Sequence, residues 1–329
     1  MKYTVHELVQ GIRSGNKLLT SKAITLVESK KAEHRSMAEA LLKEIMPYTG
    51  NSVRMGITGV PGAGKSTFIE SFGKLAVSRG KKVAVLAIDP SSTRNKGSIL
   101  GDKTRMEELA REENAFIRPS PSGGFLGGVA NTTFETMLIC EAAGYDLILI
   151  ETVGVGQSEV LVSEISDIFI FLKITGAGDE LQGIKRGIME MVDLIFINKV
   201  DDDNLQKAKN TKIELMRALH FMPEKEAGWK IPVILGSALN HKGLEVVWDK
   251  TREFIQMQQQ SGRFTEIRRR QAARRFEYWV REYIVQRTKS EEDSENTYEM
   301  HKKNAAGLES NPSTEAKIFV DRLLGRISS

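Results

Sequence analysis

Gly59-Val60-Pro61-Gly62-Ala63-Gly64-Lys65-Ser66 decides how this chain is read. The string fits G-x-x-x-x-G-K-[ST]. Residues 53–58 before it read as a strand, and Thr67-Phe68-Ile69-Glu70 after it read as the first turn of a helix, which is the setting the motif requires. Gly62 and Gly64 let the backbone adopt conformations a side chain would block, so that successive N–H groups turn inward on a chain of phosphates. Lys65 opens a helix whose positive dipole end faces the same anion, and its ammonium can reach the outer phosphates. The Ser66 hydroxyl can face Mg²⁺. Gly59, Gly62, Ala63, Gly64, Lys65, Ser66 and Thr67 are therefore the candidate phosphate-binding residues. A glycine turn that matches by coincidence is the competing reading, and the strand and helix on either side weigh against it.

Outward from this stretch, apolar runs suited to buried parallel strands recur at 53–58, 83–88, 115–117, 147–150, 168–174, 194–197 and 231–235. Helical patterns lie between most of them, at 65–79, 132–143, 205–219 and 244–259. The alternation predicts an α/β fold of the P-loop nucleoside triphosphatase (G domain) type. Its sheet would be mostly parallel, with helices on both faces and ligands held beyond the carboxyl ends of the strands. Three amphipathic segments at 5–14, 21–29 and 34–46 form a helical prefix expected to pack against the flank. After Gly262 the alternation stops. Ala273, Phe276, Val280 and Tyr283 keep helical spacing, residues 289–296 read as a linker or exposed turn, and residues 314–324 return to helical spacing. The expected organisation is a helical extension at 1–50, the nucleotide-binding domain at 51–260, and a C-terminal helical extension at 261–329 whose apolar stripe a second subunit could cover.

The base-reading candidates follow the sixth and seventh strands. In Asn198-Lys199-Val200-Asp201, the Asp201 carboxylate can accept both donors on one edge of guanine. Adenine offers no such pair, and losing hydrogen bonds at a site built for them costs on the order of 10⁴ in discrimination. Lys199 can lay its stem over the ring and Asn198 can tie this loop to the phosphate loop. Gly236-Ser237-Ala238-Leu239 is expected to offer the Ala238 N–H to the base carbonyl, with Ser237 and Leu239 beside it. GTP and GDP are thus favoured over adenine nucleotides. For Mg²⁺ the candidates are Ser66, Asp89 and Glu151 at strand or helix ends, with Asp102 in the loop after the second strand. Asp89 and Glu151 fit that role better than loop capping, whereas for Asp102 the two readings balance. Gly154 can donate its N–H to the terminal phosphate. Lys65, Glu151, Gly154 and Gln157 are the catalytic candidates. Val155 and Gly156 separate Gly154 from Gln157, and Arg94 and Arg105 are the candidate arginine fingers, so slow turnover accelerated by a partner is expected.

Composition bounds the rest. The 329 residues are 40% apolar and 27% charged with net charge +4, ordinary values for a globular chain. Residues 263–287 hold eight arginines against three glutamates, and their pattern does not argue for a nucleic-acid surface. A solvated helix face is the favoured reading there, ahead of a surface for an acidic partner. Cys140 is the only cysteine, so an internal disulfide and a cysteine-based metal cluster are excluded. No secretory pattern opens the sequence and no run reaches membrane-spanning length, so a cytoplasmic protein is expected, without nucleic-acid or membrane partners.

With these loops in view, the chain resembles the MeaB/ArgK (MMAA-type) family of GTPases, chaperones of adenosylcobalamin-dependent acyl-CoA mutases such as methylmalonyl-CoA mutase. The strings that carry the resemblance are GVPGAGKSTFIE at Gly59, AIDPSS at Ala87, GSILGDKTRM at Gly97, LGGVA at Leu126, CEAAGYDLILIETVGVGQSE at Cys140, GAGDELQGIKRGIMEMVDL at Gly176 and NKVD at Asn198. The resemblance implies switch regions at 89–105 and 151–159, and a further switch at 176–185 that faces the mutase. It also implies a homodimer formed through the C-terminal segment. The implied role is to gate adenosylcobalamin loading by an adenosyltransferase and to help exchange damaged cobalamin. Residues 131–134 and the polar stretch 290–310 depart from the family pattern. The chain lacks an Asp-x-His-x-x-Gly string, so cobalamin would belong to the partner.

Four other readings compete. A partition or septum-placement ATPase would carry a second lysine early in its phosphate loop, where this chain has Val60-Pro61, and it conflicts with Asp201. A nickel-insertion GTPase needs His and Cys ligands, whereas His6, His34, His220, His241 and His301 are scattered. A kinase for periplasmic amino-acid-binding proteins needs an acceptor-hydroxyl site and a base, and no stretch marks either. A pure scaffold leaves the phosphate and guanine loops unexplained.

Overall fold

The computed structural model describes residues 3–29, 31–89, 106–121, 126–152, 158–175, 186–222, 224–225, 228–290, 292–306 and 311–323. Their contacts divide the chain into two compact units, Met1–Ile267 and Arg268–Ser329.

In the first unit, helices α1 (Val5–Arg13), α2 (Lys17–Val27) and α3 (Ala32–Ile45) precede the sheet. The alternation that follows is β1 (Val53–Gly59), α4 (Lys65–Ser78), β2 (Val83–Asp89), α5 (Glu107–Arg111), β3 (Ala115–Pro121), α6 (Leu126–Ala142), β4 (Leu147–Thr152), α7 (Ser158–Ser163), β5 (Ile168–Ile174), α8 (Arg186–Met191), β6 (Leu194–Asn198), α9 (Leu205–His220), β7 (Val233–Leu235) and α10 (Leu244–Gln260). The seven strands form one sheet in the order β3-β2-β4-β1-β5-β6-β7, and every pairing is parallel.

Period-two alternation sends strand side chains to opposite faces. Ile148, Ile150, Phe169, Phe171, Ile195 and Ile197 point into one apolar cluster, where they meet Leu8, Ile12, Ile24, Leu41 and Ile45 of the three N-terminal helices. Leu147, Leu149, Ile168, Ile170, Leu194 and Phe196 point the other way, onto Phe68 and Phe72 of α4 and Phe254 of α10. A fully parallel sheet needs both faces covered, and here the N-terminal helices contribute to one cover. Arg54 of β1 is buried on that side. Its Nε donates to Glu141 Oε1 at 2.7 Å, and Glu141 Oε2 accepts the Gly50 N–H at 2.8 Å.

Several element bounds differ from the sequence expectation for physical reasons. The third strand runs on to Pro121 because β3 is an edge strand bonded only to β2, where Pro119 and Pro121 need supply no outward N–H. The seventh begins at Val233 because Pro232 has no N–H to donate, although its carbonyl accepts from Ile195 N at 3.0 Å. Residues 289–296, expected as a linker, are largely helical. α11 (Arg263–Ser290) reaches Ser290 and α12 (Glu292–Ala306) begins at Glu292.

The boundary between the units falls within α11. In the second unit α12 packs on α13 (Pro312–Leu323) through Tyr298 and Phe319, with ring centroids 5.4 Å apart, and through His301 Nδ1 and Glu315 Oε2 at 2.5 Å. Among the described residues no helix is long and apolar enough to cross a membrane.

Candidate functional site

β1 ends at Gly59 and α4 begins at Lys65, so residues 60–64 turn at the carboxyl end of the central strand. Gly62 and Gly64 have φ of 80° and 86°, the left-handed region that glycine enters without steric cost. A Cβ on Gly64 would lie 2.6 Å from Asn198 Nδ2 and 3.7 Å from Lys199 Cε. Phosphate loop and base loop are therefore in direct contact at a point where only hydrogen fits.

Lys65 is buried. Its ammonium donates to the carbonyl oxygens of Gly59 at 2.8 Å and Val60 at 3.2 Å. Burial holds its pKa below the ordinary lysine range, and the Glu151 carboxylate partly opposes the shift. A weakly hydrated cation at the start of a helix, beside a turn of backbone amides, is suited to a polyphosphate.

The parallel register sets Glu151 of β4 opposite Ile57 of β1 and Ala87 of β2. Ser66 Oγ donates to Glu151 Oε1 at 3.1 Å, and Asp89 is the last residue of β2. A hydroxyl and a carboxylate in contact are oxygen donors of the kind a hard cation takes, so these residues fit Mg²⁺. No group of three or more His, Cys, Asp or Glu placed for a metal occurs among the described residues. Much of such a cation's shell would then be water and phosphate oxygen. Thr67 follows, half-buried, in the first turn of α4. Asp102, Gly154 and Gln157 lie outside the described residues, as do the expected switch at 176–185 and both candidate arginine fingers.

Asn198 closes β6 and is buried. Its Nδ2 donates to Ala63 O at 2.8 Å, while its Oδ1 accepts the Ala238 N–H at 2.9 Å. One side chain thus joins the phosphate loop to the loop after β7. The Ala238 N–H, expected to meet a base carbonyl, donates here to Asn198. Lys199 is exposed with φ 60°. Asp201 is also exposed, and its Oδ1 accepts the Asn204 N–H at 3.0 Å.

Beyond β7, Ser237 and Lys242 exchange backbone hydrogen bonds at 3.0 Å each, closing a loop with Leu239 75% exposed at its tip. A Cβ on Gly236 would meet Lys242 O at 2.3 Å, so the closure needs glycine there. The sequence reading did not single out Asn204. Its available signal was an asparagine immediately before a helical pattern. Thr152 was also missed: its Oγ1 donates to Thr58 Oγ1 at 3.0 Å and pins β4 to β1 next to the phosphate loop.

A family model described as methylmalonyl Co-A mutase-associated GTPase MeaB matches residues 20–293. The chain belongs to this family. Among MeaB relatives, GTPase ArgK of Escherichia coli is 46% identical over 295 residues, covering 90% of this chain and 89% of that one. The mouse protein named methylmalonic aciduria type A homolog, mitochondrial, is 45% identical over 277 residues, covering 81% of this chain and 67% of its own. A crystal structure titled LAO/AO transport system kinase superposes with a TM-score of 0.76 at 37% identity, covering 98% of this chain and 99% of its own. The MeaB family and its ArgK member are named GTPases, which agrees with a phosphate-loop turn at the carboxyl end of the central strand of a parallel sheet.

Proposed function

We propose that this MeaB-family GTPase uses GTP binding and hydrolysis to gate adenosylcobalamin loading, protection and exchange on an acyl-CoA mutase. The observation that carries the nucleotide part is the Asn198 bridge, which couples the turn around Lys65 to the loops holding Asp201 and Ala238. Phosphate and base are then held by one connected scaffold. Lys65 and the amides of Gly59, Gly62, Ala63 and Gly64 would hold the phosphates. Ser66, with Asp89 and Glu151 directly or through water, would hold Mg²⁺, which when bound neutralises charge developing on the phosphates. Asp201 would read the guanine edge, with the Lys199 stem against the ring.

The mutase part is supported by the family to which the chain belongs and by the strings at Cys140 and Gly176. Turnover is slow in the isolated chain and accelerated by the mutase. The working form is a cytoplasmic homodimer that also meets a cobalamin adenosyltransferase, and the cobalamin stays on the partner.

Calorimetry with Mg²⁺ tests the first part: GDP should bind and ADP should not, and Asp201→Asn should shift preference toward xanthine nucleotides. An unchanged guanine preference in that variant would remove the base-loop assignment. Copurification with an acyl-CoA mutase, compared under a GTP analogue and under GDP, tests the second. Labelled nucleotide should yield free phosphate, and label on a protein acceptor would instead assign a kinase.

A further inference from the structure

We propose that Asn204 is a positioning residue for guanine discrimination, acting through Asp201, an inference that rests on the guanine-nucleotide reading above. Asn204 stands at the N-cap of α9, where an asparagine ordinarily turns its side chain onto the amides of the first helical turn. Its side chain makes no such bond. It points back across the base loop, where Nδ2 donates to Lys199 O at 2.8 Å and Oδ1 accepts the Asp201 N–H at 3.2 Å. The Asn204 backbone N–H completes the set by donating to Asp201 Oδ1 at 3.0 Å.

The segment held in this way contains Lys199, whose φ of 60° is a conformation a lysine enters only under constraint. Asn204 supplies that constraint from both sides of Val200. Its side chain fixes the Lys199 and Asp201 main chain, and its backbone N–H, which an alanine would keep, holds one carboxylate oxygen, so the exposed carboxylate is aimed from a main chain that only the side chain secures while it retains acceptor capacity. An ordinary helix cap would stabilise α9 and leave base preference alone. A residue that aims Asp201 governs the step at which guanine is told from hypoxanthine, which lacks the exocyclic amine.

The test is the ratio of affinities for GDP and IDP, by calorimetry with Mg²⁺, in the full-length wild type, Asn204→Ala, Asn204→Asp, Asp201→Asn and the Asn204→Ala/Asp201→Asn double variant. The wild type should prefer GDP by about 10-fold or more, the value of one hydrogen bond to a charged group. Asn204→Ala should lose most of that ratio, with GDP weakened about 10-fold and IDP little changed. Asn204→Asp keeps an acceptor for the Asp201 N–H but loses the donor to Lys199 O and adds charge beside Asp201, so it should fall at least as far. In the Asp201→Asn background, Asn204→Ala should add little, the non-additivity of residues acting through one group. A wild-type GDP to IDP ratio in Asn204→Ala, whatever its melting temperature, would overturn the proposal, as would full additivity in the cycle. A wild type that prefers ADP to GDP would instead remove the guanine reading itself.

Discussion

At Lys65 burial and charge oppose each other. Removing its ammonium from water disfavours the protonated form, and Glu151 restores only part of the loss. The sign of the pH effect follows. With the folded pKa below the unfolded one, the unfolded chain binds more protons here as pH rises from the folded value to about 10.4, so this residue's contribution to stability increases with pH. Lys65→Met removes that linkage. Urea titrations of the nucleotide-free protein should show the wild type gaining on Lys65→Met as pH is raised over that window, and a constant gap would contradict the burial argument. The same variant should lose binding of GDP altogether. At this scale the sequence marked Lys65, Ser66 and Asp201 because each stands at a fixed offset in a short string, and the contact of Ser66 with Glu151 was legible in the same way. It did not make legible that Asn198 takes the Ala238 N–H, or that Asn204 turns away from its own helix. The first depends on loops that meet only after β6 and β7 pair, and the second on the backbone path between β6 and α9, which brings Lys199 O and the Asp201 N–H to one side chain.

Between α4 and β6 a single glycine sets the clearance. Gly64→Ala would force a left-handed alanine and a 2.6 Å contact with Asn198 Nδ2. The expected outcome is a loss of about 1–3 kcal/mol in denaturant unfolding, with GDP affinity falling more than 10-fold as the Asn198 to Ala63 bond opens. A stable variant with native affinity would mean that the two loops do not share this contact. The seven strands were legible because each is an apolar run of buried-strand length, and both faces of a parallel sheet must be apolar. Their ends were not. Whether a strand continues through Pro119 depends on its being at an edge, which pairing order decides and local composition does not. The helical character of residues 289–296 was hidden for the opposite reason. Acidic, polar residues read as linker, yet they form a helix end and a helix start on either side of residue 291.

For the molecule as a whole, both large apolar clusters lie within Met1–Ile267, while α11 leaves Phe276 70% exposed along with Val280, Tyr283 and Ile284. We propose that these residues belong to a dimerisation arm. A chain ending at residue 267 should then fold, bind GDP and run as a monomer in light scattering, whereas the full chain should run as a dimer. A truncated chain that still dimerises would place the interface elsewhere.

Cys140, fully buried in the cluster beneath the N-terminal helices, has its thiol pKa pushed up by burial and by neighbouring Glu141. A sulfur so shielded reacts with a disulfide reagent only when the surrounding layer opens. Because the chain has no second cysteine, its labelling rate is an internal gauge of breathing in the native state. Saturating nucleotide should slow that rate about 100-fold at a hundred times Kd, provided the opening motion also breaks the site. Labelling that ignores nucleotide would locate the motion in the helical cover alone.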